Sequence, residues 1–112
     1  MSITLQFYYK MTYTKEYIIQ LLSLHKEALR SYQIKRIGIF GSFQKRLNKG
    51  DSDVDLLIEF QPAQKTFKNY TGAYLFLKDV LQKEIDFLTP ESLSPYIGPH
   101  ILKDVEYVAI GN

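Results

Sequence analysis

The chain contains no cysteine and no tryptophan, only four prolines and six glycines, and no long uncharged apolar run. Without cysteine there are no disulfides, thiolate metal sites or cysteine nucleophiles, so any metal must be held mainly by oxygen ligands. That favours a hard cation such as magnesium. Nothing approaches the roughly 18 uncharged apolar residues that a membrane span needs, and the N-terminus shows neither the basic region nor the long apolar stretch of a secretory signal. The expectation is a cytoplasmic protein with no membrane contact. Charge of one sign is also missing: the net charge is +2, with acids and bases interspersed. This is too weak and too mixed for a nucleic-acid-binding footprint, so direct nucleic-acid binding is not expected.

What is present is a chain of 112 residues, 46% hydrophobic, enough for one cored domain and not for two. Residues 1–10 alternate in the manner of a strand (Ile3, Leu5, Phe7) but precede a second methionine, Met11, and read as an N-terminal extension of a single domain spanning 1–112. From Thr14 to about Ser31, Ile18, Leu21, Leu22, Ala28 and Leu29 recur at helical spacing behind a capping Thr14, which predicts one amphipathic helix. His25 falls on its apolar side and Tyr17 at its border. A single histidine there is more often packed than metal-bound, and the abundant tyrosines and phenylalanines are assigned to the core and its margins.

Ile34 to Phe40 is β-branched and breaks at Gly41-Ser42, as a strand does when it delivers a glycine turn; a polar loop is expected after it. Val54 to Phe60 alternates, with Val54, Leu56, Ile58 and Phe60 on one face and Asp55, Leu57 and Glu59 on the other. Gln61-Pro62 ends that strand. Phe67, Tyr70, Tyr74, Leu77 and Leu81 then mark a second amphipathic helix, whose stripe suits packing on a sheet better than docking a partner. Glu84 to Leu88 reads as a third strand and Ser92 to Val105 as a last turn or helix. The order helix, strand, strand, helix, strand, helix predicts an α/β fold: a small mixed β-sheet flanked by helices.

Asp53 and Asp55 stand two apart at the entrance of the second strand, so their side chains leave the same face with Cβ atoms about 7 Å apart. Asp86, flanked by inward-facing Ile85 and Phe87, can point to the same spot from a neighbouring strand about 4.8 Å away. Three carboxylates this close repel one another, and divalent cations are the simplest way to keep them ionised. Two ions roughly 4 Å apart would clamp an in-line phosphoryl or nucleotidyl displacement. Gly41-Ser42 offers the complement: backbone N–H groups can approach phosphate oxygens where no Cβ intervenes, and the serine hydroxyl adds a donor. Lys45 and Arg46, on the same loop, could neutralise a departing pyrophosphate.

Each feature alone has a plain reading, a solvated turn at Asp51–Asp55 or an ordinary Gly-Ser loop. A calcium loop does not fit, because the sixth position is Leu56 and the twelfth Pro62. A phosphate-loop NTPase does not fit either, because Gly41–Arg46 lacks the second glycine and the Gly-Lys-Ser/Thr ending.

Gly41-Ser42, ten residues, then Asp53-Val54-Asp55-Leu56-Leu57-Ile58 resembles the signature of the DNA polymerase beta nucleotidyltransferase superfamily, in particular its minimal (MNT) nucleotidyltransferases. Ile85-Asp86-Phe87-Leu88-Thr89-Pro90, Leu93-Ser94-Pro95-Tyr96-Ile97 and Ile101-Leu102 resemble the family's closing segment, so the likeness covers roughly residues 12–108. It implies a polymerase-beta-type fold, Asp53 and Asp55 as ligands of two Mg2+ ions (Mn2+ being the alternative), and Asp86 as the third carboxylate, helping to deprotonate the attacking hydroxyl. Family members are often antitoxins beside a HEPN toxin, and some move AMP from ATP onto a toxin tyrosine. The resemblance therefore implies ATP as substrate and a HEPN-type toxin as partner. Two other functions stay open: a non-catalytic antitoxin that masks its partner, and transfer to a small molecule such as an aminoglycoside. Many relatives carry Arg-Gly where this chain has Lys45-Arg46, which leaves loop geometry and nucleotide choice open.

Overall fold

The computed structural model describes residues 13–45, 47 and 52–111; the 1–10 extension, Arg46 and Asp51 lie outside them. Two short helices come first, α1 (Lys15–Leu24) and α2 (Lys26–Ser31). Thr14 caps α1 as expected, its Oγ1 accepting from the N–H of Tyr17. The single helix predicted over this stretch is interrupted at His25 (φ −103°, ψ 23°). The break lets Leu29 turn into the core behind Ile18 and Leu22, and the His25 ring rests edge-on against Phe76 at 5.6 Å.

Strand β1 (Ile34–Phe40) leads into a one-turn helix, α3 (Gly41–Gln44), where a polar loop was expected. The turn forms because Phe43, 1% exposed, is drawn into the core immediately after the glycine. β2 (Val54–Phe60), α4 (Phe67–Leu81) and β3 (Ile85–Leu88) follow at the positions their patterns predict, β3 starting one residue late. The expected closing helix is a 3-10 turn at Pro90–Ser92 and then α5 (Gly98–Asp104). A further strand, β4 (Glu106–Ala109), was not expected.

The four strands form one mixed sheet in the order β3-β2-β1-β4, antiparallel except for the parallel pair β2–β3. Register gives each face its character. Ile37 lies opposite Ile58 and Val108, Ile39 opposite Leu56, and Leu56 opposite Phe87, so these apolar side chains share one face. They join Leu22, Leu29, Leu77 and Leu81 from the helices in a single buried cluster. The tyrosines of α4 border that cluster: Tyr70 and Tyr74 meet Phe87 edge-on at 4.8 and 5.7 Å. Phe67, counted in the apolar stripe, is instead 86% exposed.

The opposite face carries Arg36, Gly38, Phe40, Asp55, Leu57, Glu59 and Asp86. Leu57 is nonetheless fully buried, and the 3-10 turn lies close to β2. Arg36 bonds Glu59 at 2.7 Å and lies 3.6 Å from the centre of the Tyr107 ring, pinning edge strand β4 to β1 and β2. Leu56 sits at the centre of the covered face. Truncating it to alanine should cost about 2–5 kcal/mol by lost burial and a residual cavity, read as a lower denaturant midpoint at unchanged slope. A change in slope with no midpoint shift would contradict a rigid core there.

Candidate active site

The site grows from the ends of three strands. β1 ends at Phe40, whose register partner on β2 is Asp55. Asp55 in turn pairs with Asp86 on parallel β3. Directly opposed residues of neighbouring strands project from the same face, so the two carboxylates are side by side and share a hydrogen bond. Asp53, exposed at the entrance of β2, is close enough for its negative charge to act on Asp55.

Gly41 closes the other side. It has φ +73°, the left-handed region that glycine enters without steric cost. A Cβ there would land on Asp55 Oδ2 and lie 2.9 Å from its Cγ. No residue with a side chain fits this position while Asp55 keeps its place. The turn is then fixed by Lys45 N–H donating to Gly41 C=O at 3.1 Å and Leu47 N–H to Ser42 C=O at 2.8 Å.

A cavity of about 150 Å³ opens beside this turn, lined by Phe40, Gly41, Lys45, His100, Ile101 and Asp104. Lys45 Nζ stands 4.0 Å from Asp104 Oδ2 in an exposed pair. The fold thus brings together Gly41, Ser42, Asp53, Asp55 and Asp86, and sets Lys45 on the cavity wall beside Asp104 of α5. Sequence reading did not single out His100 and Asp104, and named Ile101 only within the closing segment. Their spacing of three and four residues on a closing helix was the available signal, but it carried no chemical signature.

Burial, the hydrogen bond with Asp86, the charge of Asp86 and the charge of Asp53 together push the Asp55 carboxyl from 3.8 to about 7. A hydrogen bond between two carboxyl groups needs a proton between them. Among the described residues, no three acidic, histidine or cysteine side chains are already closed around one point. The donor chemistry is still that of a hard divalent cation: all oxygen, strongly negative, half-buried, and strained by its own repulsion.

Residues 22–108 match the model of the nucleotidyltransferase domain family. The chain belongs to that family, and by class it is a nucleotidyltransferase. It is 33% identical over 96 residues to the protein adenylyltransferase MntA of Thermococcus cleftensis, covering 85% of this chain and 96% of the relative. Its fold resembles a solved structure described as a minimal nucleotidyltransferase, with a TM-score of 0.63 at 25% identity over 79% of this chain and 93% of that one. A toxin-antitoxin crystal structure with AMP-PNP shares the fold, with a TM-score of 0.59 at 18% identity over 83% of this chain and 70% of the other.

A carboxyl whose folded pKa is raised loses stability as pH climbs from the unfolded value, because the native state keeps a proton that the unfolded chain has released. In chelator, Asp55→Asn should therefore melt above wild type. The gain should grow between about pH 4 and 7 and stay level above that, reaching roughly 5 °C. Magnesium should narrow the gap by stabilising wild type alone. A gain independent of pH would show that the buried charge is not its cause.

Proposed function

We propose that this nucleotidyltransferase moves AMP from ATP to a hydroxyl on a partner protein, a tyrosine of a HEPN-type toxin, and thereby acts as the antitoxin in the cytoplasm. The observation that carries this reading is the strand register placing Asp55 beside Asp86, with Gly41 pressed against Asp55. Support for the donor and acceptor comes from kin: one relative is named a protein adenylyltransferase, and a fold neighbour was crystallised as a toxin-antitoxin with AMP-PNP. Among the described residues, no helix is long and apolar enough to cross a membrane.

In this reading the Gly41-Ser42 turn grips the triphosphate through backbone N–H groups and the serine hydroxyl. Asp53 and Asp55, with Asp86, hold two Mg2+ ions. Those cations, when bound, supply the positive charge that polarises the α-phosphate and eases departure of pyrophosphate. Asp86, the exposed member of the hydrogen-bonded pair, faces the side from which an acceptor enters and takes the proton of the attacking hydroxyl. The acceptor oxygen forms its bond to the α-phosphorus as the α–β bridging bond breaks. Lys45, and Arg46 after it, offset the charge that gathers on the leaving pyrophosphate; to do so Lys45 exchanges its weak pair with Asp104 for phosphate.

Labelled AMP transfer to the partner protein tests the assignment. Asp53→Asn and Asp55→Asn should abolish transfer while keeping the fold. Asp86→Asn should still bind ATP with metal but transfer it roughly 100-fold or more slowly. Unaltered transfer by both Asp53→Asn and Asp55→Asn would sink the metal assignment. Loss of nucleotide affinity in Asp86→Asn as complete as in Asp53→Asn would leave Asp86 a metal ligand alone and overturn its role as the base.

A further inference from the structure

We infer that Lys83 is a positioning residue for the transfer reaction, tying the entrance of β2, where Asp53 stands, to the turn that carries Gly41-Ser42. The inference rests on the nucleotidyl-transfer reading above. Lys83 follows Gln82, whose left-handed conformation (φ 53°, ψ 37°) ends α4 and turns the chain back toward the sheet. Its Nζ donates to the C=O of Ser52 at 3.2 Å, across 31 residues of sequence. The next residue adds a second tie, because Val54 N–H donates to Glu84 C=O at 3.0 Å. Asp53 is thus held between two anchored neighbours, Ser52 and Val54, both fastened to the 83–84 segment.

The same ammonium lies 5.8 Å from the ring centre of Phe43 and 5.0 Å from that of Tyr13, within reach of a cation–π attraction. Phe43 is buried and directly follows Ser42, so one cation touches the backbone just before Asp53 and the side chain just after the glycine-serine turn. Neither contact belongs to the carboxylate cluster itself. Lys83 therefore acts through Ser52 and Phe43, fixing the distance between the two halves of the site.

Two roles for this cation predict opposite signs. A lysine that acted only as a charge would repel divalent ions, and its loss would tighten their binding. A lysine that positions Asp53 would loosen their binding on removal. Mn2+ binding to the full chain, read by the paramagnetic resonance of free Mn2+, separates the two without any turnover. Lys83→Met keeps the apolar stem against both rings, and Lys83→Arg keeps charge and donor.

The expected result is about tenfold weaker Mn2+ binding for Lys83→Met with recovery in Lys83→Arg. With this should come a lower kcat for AMP transfer at saturating Mn2+ and an unchanged KM for ATP. Unchanged or tighter Mn2+ binding in a folded Lys83→Met protein overturns the positioning role while leaving the nucleotidyl-transfer reading intact. Should Lys83→Met fail to fold, Lys83→Gln takes its place, judged by the same sign. A wild type that binds no Mn2+, or one that binds it equally after Asp53→Asn, overturns the carboxylate reading and this inference with it.

Discussion

The parallel register of β2 with β3 sets Asp55 against Asp86, and the rest of the molecule is arranged around that unfavourable contact. Two carboxylates held side by side cannot both be ionised cheaply, and burial raises the cost further. The fold tolerates the pair because the same two strands bury Val54, Leu56, Ile85 and Phe87 on the reverse face. Each is adjacent in sequence to one of the acids. Apolar burial and carboxylate repulsion are therefore coupled through the pleat: one alternation supplies the driving force on one side and sets the acids on the other.

Gly41 extends the same constraint to β1. Phe40 is the register partner of Asp55, so the chain leaving β1 must pass directly beside that carboxylate. Only a residue lacking Cβ, in a left-handed conformation, makes the passage, and Phe43 then locks the turn by filling the core. The glycine requirement is thus imposed by Asp55 as much as by any phosphate. In this chain the position of the glycine-serine turn is thereby tied to that of the Asp-x-Asp strand.

Much of this was legible in the sequence. β1 and β2 were readable because β-branched alternation marks them and the breaks at Gly41 and Pro62 end them, and Asp53 and Asp55 stood at alternating positions that share a face. The break at His25 was not, since Leu29 continues the helical periodicity across it. β4 was missed because Glu106-Tyr107-Val108-Ala109 is short and buries one side chain well, its place being held by Arg36 and Tyr107 across the sheet. Lys83, His100 and Asp104 lay beyond sequence reading for a related reason: they are placed by packing and contacts across 31 residues and more, which no local pattern encodes.

The two faces of the sheet also differ in what packs on them. Helices α1, α2 and α4 all contribute to the single cluster on the covered face. On the other face, among the described residues, the 3-10 turn lies close to β2 and α5 lies near the end of β1. Beside the Gly41 turn lies a cavity lined by Lys45 together with His100 and Asp104 of α5. Because α5 is followed at once by β4, which pairs with β1 as far as Ile39 opposite Glu106, the wall is fixed to the strand that delivers Gly41. The cavity and the carboxylates therefore share one rigid support, the arrangement needed for a reaction whose catalysis consists mostly of holding charged groups in place.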